Sequence, residues 1–433
     1  MKKTLLALLA LAAPVVATAQ TNARAISLPD ALEMAKRNSP TMINARGTIR
    51  TNAAAITVAK WAFAPTLSVS YGSSTSGGGN YVNGQLVTQA NKGYNFNQSL
   101  GGISIPVWDG GQRLYTLRQR QASLTQSEVA EVSSEFSIAQ QVKQQYYSIL
   151  QALESESAAR AQLQQATEQL SASVARVVNG TANISDTLSA KVSVGNAQIA
   201  ILTALNSESN GNAQLTRLTG SDSPLTAIVA DTADPQPLHV TDAELFALVD
   251  QGPSVKQAVA SLVVSRASEK VSRSSYWPQI TLNGSFSRNN SDMHYDFGSG
   301  PMNYSWTVSL GASYQLWNGY SRESGVISAR ASLDNAEANL RDAKLTARQN
   351  LTQQLGTLHT AEAQIAIQRL NLVAATEALR VVQQRYAQGV GTILDLLTAQ
   401  STYNSARSTL ITQRFNARNA RAQIEALVGR DVQ

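Results

Sequence analysis

Two hydrophobic periods alternate along this chain. Leu67, Val69 and Tyr71 alternate with Ser68 and Ser70, and Ile103, Ile105 and Val107 take up the same pattern further on. Ile280, Leu282 and Phe286 alternate with Thr281, Asn283 and Ser285, and Trp306, Val308, Leu310, Ala312 and Tyr314 alternate with Thr307, Ser309, Gly311, Ser313 and Gln315. Period two gives one apolar and one polar face. It predicts strands over about 66–72, 98–107, 280–287 and 305–316. Elsewhere the spacing is three and four, as at Val142, Tyr146, Ile149, Leu150 and Leu153, and prolines are absent over long stretches. That pattern predicts helices with a coiled-coil-like seam over about 112–179 and 321–388. At a rise of about 1.5 Å per residue, each would be about 100 Å long. A glycine turn, Asn179-Gly180 or Gly389-Val390-Gly391, ends each one, and partner helices over about 183–219 and 392–428 run back.

Shorter amphipathic helices precede the strands. Ser27-Leu28-Pro29-Asp30 and Thr241-Asp242-Ala243-Glu244 carry helix-start signals. Helices from Pro40 to about Ala62 and from Ser254 to Tyr276 each end in an aromatic-proline signal, Trp61-Ala62-Phe63-Ala64-Pro65 and Tyr276-Trp277-Pro278. Proline stops a helix and favours extended chain before it. Between paired strands, the Gly/Asn/Ser-rich stretches 73–91 and 288–303 read as long mobile loops, whereas the opposite strand ends turn tightly into helix. Long loops on one side and short turns on the other is the pattern of outer-membrane barrels.

The whole pattern is written twice. Trp108-Asp109-Gly110 returns as Trp317-Asn318-Gly319, Gly180 as Gly389, Asp186 as Asp395, Ala190 as Ala399, and Gly220-Ser221-Asp222 as Gly429-Arg430-Asp431, each pair 209 positions apart. The first copy covers 20–222, a proline-containing linker covers 223–240, and the second copy covers 241–433. The fold class is mainly α with a small β part. One chain offers four strands, and a membrane barrel needs at least about eight. Either several chains pool their strands or the strands never enter a membrane. Trp61, Trp108, Trp277 and Trp317 flank the tight-turn strand ends, where an interfacial aromatic belt would lie. Plugging helix–strand junctions in a soluble protein is the plainer use for them.

Composition narrows the class. Met1-Lys2-Lys3, the apolar run from Thr4 to Val16 and Ala17-Thr18-Ala19 read as a signal peptide over 1–19, cleaved to leave Gln20 first. No later stretch has the roughly 18 apolar residues of a spanning helix. The chain has no cysteine, so it has no disulfide and no thiol for lipid attachment. Charged residues make up 15% and the net charge is +6, of which Lys2 and Lys3 belong to the signal. That surface does not suit a polyanion, so no nucleic-acid partner is expected. His239, His294 and His359 lack metal-ligand spacing. No phosphate loop or nucleophile elbow is present, so catalytic, cofactor-binding and metal residues are expected to be absent.

Export signal, duplicated helix–strand–strand–helix–turn–helix units, W-x-G at the strand exits and the G-x-G-T-x-x-D-x-L tip at Gly389–Leu397 together resemble the TolC-like outer-membrane efflux proteins, the outer-membrane factors of tripartite efflux and type I secretion systems. The resemblance covers about Ser27 to Asp431. It implies a homotrimer whose twelve strands form one transmembrane β-barrel against outer-membrane lipid, continued by an α-helical barrel in the periplasm. It also implies a passive exit duct that works with a periplasmic adaptor (membrane fusion) protein and an inner-membrane transporter. By the same resemblance, Asp186, Asp395 and Tyr386 belong to the constriction or gate. Gly180, Thr181, Gly389, Val390, Gly391 and Thr392 form the turn surfaces that meet the adaptor.

Plainer readings stand beside these. Thr392 to Asp395 fits a capping box, with Asn183 to Asp186 as its repeat partner. Tyr386 suits an interhelical packing site, and the glycines suit left-handed helix stops. Some members of the family carry a latching arginine where this chain has Gly391, and a further acid where it has Thr398. Arg407, Arg414, Arg418 and Arg421 share one side of the last helix. Salt-bridging there is the expectation, and a lumenal basic stripe the alternative. A periplasmic coiled-coil adaptor is a rival reading, but it would need a lipoyl-like β domain that is not visible. A structural envelope protein without a pore would have no use for alternating strands ending in tryptophan.

Overall fold

The computed structural model describes residues 23–75, 77–89, 93–181, 183–228, 240–292, 294–295 and 300–432. The expected signal peptide, His239 and most of the linker lie outside these residues. The elements run β1 (Arg24–Ile26), α1 (Leu28–Asn38), α2 (Pro40–Trp61), β2 (Thr66–Thr75), β3 (Gly78–Val82), β4 (Gln85–Gln89), β5 (Tyr94–Trp108), α3 (Gln112–Val178) and α4 (Ile184–Thr219). Then follow β6 (Leu225–Ala227), α5 (Asp242–Val249), α6 (Pro253–Arg273), β7 (Gln279–Asp292), β8 (Asn303–Ser313), α7 (Ser321–Ala387) and α8 (Ile393–Val428).

The compact units cut across the sequence repeats. One collects the chain up to Ser39 with Gln141–Gln236 and His359–Asn419, and the other collects Pro40–Gln140, Pro237–Leu358 and Ala420–Gln433. Two consecutive copies in sequence are therefore not two bodies in space, because α3, α7 and α8 each contribute to both units.

In the second unit, β2, β5, β7 and β8 form one antiparallel sheet in the order β2-β5-β7-β8. The register carries the period-two pattern across it: Leu67 faces Ile103, Ile105 faces Leu282, Leu282 faces Leu310, and Phe286 faces Trp306. The other face is polar. Thr66 pairs with Ser104, Ser104 with Asn283 and Asn283 with Ser309, and the Ser104 hydroxyl donates to Asn283 Oδ1 at 2.9 Å. The apolar face is uncovered: Leu67, Val69, Trp306, Val308 and Leu310 are all exposed. Strands β2 and β8 are edges with no further strand among the described residues.

The strands are longer at the loop side than their apolar runs suggested. β2 reaches Thr75, β5 starts at Tyr94, β7 reaches Asp292 and β8 starts at Asn303, while β8 ends at Ser313, short of the expected 316. The stretch 73–91, read as a loop, holds the β3–β4 hairpin, in register from Gly78↔Gln89 to Val82↔Gln85. Its turn is Asn83-Gly84, with φ of 50° and 80°. Both central residues of a two-residue type I′ turn need positive φ, which Asn-Gly supplies. The Gly/Ser-rich flanks hid this signal.

In the first unit, α3 and α4 flank the turn at Gly180, and each buries small residues every seventh position. On α3 these are Ala152, Ala159, Ala166 and Ser173; on α4 they are Ala190, Ala197, Ala204 and Gly211. A strict repeat of seven is the spacing of a left-handed supercoil. Small residues allow close approach: a Cβ built at Gly211 would lie 2.7 Å from Ile149 Cγ1. Near the N-terminus, β1 pairs in parallel with β6. The buried Tyr146 hydroxyl donates to Ile26 O at 3.1 Å and accepts from Ile228 N at 3.2 Å, tying both short strands to α3.

α4 departs from the expectation that no later segment suits a spanning helix. It has the length, and over 18 residues a mean hydropathy of 1.2. Its exposed Ile184, Leu188, Val192, Ile199 and Leu202 fall at spacings of three, four and seven, which marks a stripe for helix packing and not an all-round lipid surface. An Ala197→Leu substitution should overpack the opposite, small-residue seam. The expected cost is about 1–3 kcal/mol, measured by denaturant unfolding followed by circular dichroism, while Ser207→Ala on the exposed side should change little.

Candidate functional site

Two groups of sequence-marked residues fall in different compact units, the helix–strand junctions in one and the helix tips in the other. At the junctions, Trp61, Trp108, Trp277 and Trp317 are all exposed, at 71, 47, 60 and 79%. They close α2, close β5, precede β7 and follow β8. The turn after Trp108 is held by Asp109, whose carboxylate accepts from Gly111 N at 3.1 Å, Arg113 N at 3.1 Å and Arg113 Nε at 2.7 Å. Arg113 lies over Phe63 and Arg322 over Tyr276, so each junction stacks a cation on an aromatic ring.

At the tips, Gly180 and Gly389 take the left-handed conformation, with φ of 73° and 77°. Thr181 N donates to Arg176 O at 2.9 Å, and Val390 N to Arg385 O at 3.0 Å, closing the two helix ends the same way. Thr392 and Asp395 then form the expected reciprocal box. Asp395 N donates to Thr392 Oγ1 at 3.1 Å, while Thr392 N and Oγ1 donate to Asp395 Oδ2 at 3.1 and 2.8 Å. The Thr392 hydroxyl first, then its backbone amide and the field of Arg385, hold the Asp395 carboxyl below the usual carboxylate range.

The first tip is built differently. Asn183 Oδ1 accepts from Ser185 N at 3.3 Å, and the Asp186 carboxylate takes no hydrogen bond among the described residues. An amide cap that is satisfied one residue earlier leaves the acid free. Tyr386 is 6% exposed, packed with Leu379 and Leu396. Its hydroxyl is buried without a hydrogen-bond partner in the chain. Gly391 sits where a Cβ would be 3.2 Å from Tyr386 N, a tight but not prohibitive fit.

One residue at this site carried no flag in the sequence. Arg176, in the last turn of α3, donates from Nη2 to Tyr386 O and Ala387 O, both at 2.8 Å, and its guanidinium lies 4.4 Å from the Tyr386 ring centroid. The available signal was its repeat position, 209 residues before Arg385. The arginines of α8 are mostly held by neighbours: Arg414 pairs with Glu154 at 3.4 Å, Arg418 lies over Tyr147 and Phe415, and Arg421 pairs with Glu425 and donates to Val432 O. Among the described residues, no cluster of His, Asp and Glu could hold a metal ion.

A family model described as "Outer membrane efflux protein" matches residues 31–221 and 247–430. The chain belongs to the outer membrane efflux protein family. The two matched segments correspond to its two copies. Among curated relatives, Protein CyaE of Bordetella pertussis is 25% identical over 386 residues, 88% of this chain and 79% of the relative. Outer membrane protein TolC of Escherichia coli is 24% identical over 299 residues, 66% of this chain and 59% of TolC. Solved structures share the fold: CusC superposes with a TM-score of 0.79 at 16% identity, covering 94% of both chains. The Campylobacter jejuni CmeC outer membrane channel gives 0.79 at 16% identity, covering 93% of this chain and 85% of CmeC. This efflux-family chain is thus an outer-membrane channel component, mainly α with a small sheet, whose helical part lies in the periplasm.

The capping box at the second tip gives a pH expectation. Because the folded Asp395 pKa lies below its unfolded value, its contribution is present above about pH 3.9 and is lost as pH falls through the folded value. In Thr392→Ala the carboxyl should titrate higher and the Asp395 amide should exchange faster. Carboxylate titration and hydrogen exchange at that residue would show both, and unchanged values would mean that the box does not anchor the tip.

Proposed function

We propose that this chain is one third of a trimeric channel-tunnel, the passive exit duct of a tripartite efflux pump or type I secretion system. The observation that carries the reading is the open four-stranded sheet of an outer-membrane chain, with one bare apolar face and, among the described residues, two unpaired edges. In hydrocarbon every backbone amide needs a partner, so such a sheet must close. Pairing β8 of one copy with β2 of the next closes it at twelve strands, above the minimum of about eight.

In this reading Leu67, Val69, Val308 and Leu310 face lipid, and Trp61, Trp108, Trp277 and Trp317 lie at its interface. The long helix pairs line the periplasmic tunnel. The turns at Gly180, Thr181, Gly389, Val390, Gly391 and Thr392 meet a periplasmic adaptor, and an inner-membrane transporter supplies the energy. Asp186, Asp395 and Tyr386 mark the constriction, where three copies bring like charges together and favour cations. The chain itself catalyses nothing in this reading. CyaE, TolC and the solvent efflux pump outer membrane protein SrpC of Pseudomonas putida are consistent with either use of such a duct.

Single-channel recording of the purified protein in planar bilayers tests this. Wild type should show small cation-selective openings, and Asp395→Ala should bring the cation-to-anion permeability ratio toward one. A ratio unchanged by the substitution would reduce Asp395 to a helix cap. A folded protein that stays silent even after both tip turns are deleted would sink the duct.

A further inference from the structure

The grooves along α3 and α4 are lined largely by Ser, Gln and Asn, but one cleft in the second unit is apolar. It has a volume of about 430 Å³ and lies between α3 and α6. Ala122, Thr125 and Val129 form one wall, and Val255, Val259 and Val263 form the other. Val255 is buried at 2% exposure, whereas Val259 and Val263 are 43 and 47% exposed. An apolar cleft of this size with a few polar groups at its edge has the makeup of a small-ligand site.

The polar groups come from the turn between α5 and α6. Asp250, Gln251 and Lys256 line the cleft there. Asp250 is already held: Arg348 Nε and Nη2 donate to its two carboxylate oxygens at 2.8 and 2.5 Å. Lys344 acts on the same carboxylate through its field. Lys256 is exposed and makes no ion pair among the described residues. Three cations thus stand against one acid, and no other acid lines the cleft. Its polar edge suits an anion.

The internal repeat shows that the fold does not require these valines. Helices α2 and α6 each begin at a proline, Pro40 and Pro253. Aligned there, Val259 and Val263 correspond to Arg46 and Arg50, both exposed. Arg46 pairs with Glu131 on α3 at 3.3 Å. Positions that accept charge in one copy therefore carry bare valine in the other.

We propose that this cleft binds one free fatty acid, its chain along Val255, Val259 and Val263 and its carboxylate at Lys256. From Val255 to Val263 the helix advances about 12 Å, room for one chain of medium length and not for the paired chains of a phospholipid. Covering the exposed valines removes apolar surface from water, and Lys256 gives the carboxylate a charged partner. The site is separate from the proposed exit path, and its occupancy does not depend on the trimeric-duct reading.

The test uses the full mature protein in phosphatidylcholine nanodiscs and decanoate carrying a diazirine at its tail. After photolysis, peptide mass spectrometry should find adducts on 122–129 and 255–263. Val259→Arg, which takes the side chain the other copy has at this position, should keep wild-type circular dichroism and lose those adducts. Lys256→Gln should raise the decanoate concentration for half-maximal labelling about fivefold, the scale of an exposed ion pair, and Lys256→Arg should restore it. Decanol with the same tail should label wild type and Lys256→Gln alike. Adducts confined to the strands, or cleft labelling that survives Val259→Arg, would overturn the site. Equal loss of decanol and decanoate in Lys256→Gln would overturn the carboxylate's place at that lysine. Stronger cleft labelling by a diazirine-tailed phosphatidylcholine would overturn the single-chain ligand.

Discussion

A backbone amide left without a partner in hydrocarbon costs several kcal/mol, and β2 and β8 are edges with no further partner strand among the described residues. In the proposed trimer, that constraint explains why the sheet makes sense only beside its copies. The sheet is well formed internally, with unbroken register between β7 and β8 and shifts at Ser68/Ser70, Ser99/Gly101 and Pro106/Trp108 in the other two pairs. It is nonetheless too narrow to bury its apolar face or to satisfy its edges. Water would leave the face bare and lipid would leave the edges bare, and the proposed trimer answers both.

The helical part is governed by a softer version of the same problem. A 67-residue helix cannot be enclosed by a core of its own, so its stability comes from seams along its length. The seam chosen here is made of Ala, Ser and Gly on α3 and α4, which leaves the larger Ile, Leu and Val side chains of α4 facing outward. The tip adds local chemistry to this economy of contacts. Glycines end the helices, Thr392 and Asp395 start the return helix, and Arg176 bridges two helix ends through main-chain oxygens that any sequence would offer.

Much of this could be read from the residues. Helix pairs, strand faces and the Thr392–Asp395 box follow from periodicity and local hydrogen bonding, which are short-range properties. The β3–β4 hairpin was also local, but its Asn83-Gly84 turn was outweighed by the surrounding glycine and serine. Asp186 failed to copy Asp395 because Asn183 caps a different amide from Thr392, a distinction that homology between the repeats conceals. The Arg176 contact was not legible at all: it joins residues 210 and 211 positions apart, and its acceptors are carbonyls, which leave no trace in side-chain identity. Nor could the repeats reveal that the compact units interleave them, since that depends on where long helices touch.

The seven-residue spacing of the α3 and α4 seams has a mechanical consequence. A shift of one helix along the other by anything less than a full heptad, about 10 Å, would drive bulky side chains into a gap sized for alanine. Longitudinal creep is thereby forbidden, and the hairpin behaves as a stiff lever whose two arms keep their register. Displacement applied along the seam between Ala152 and Ser173 therefore reaches the turn at Gly180 with both arms moving together and their register kept.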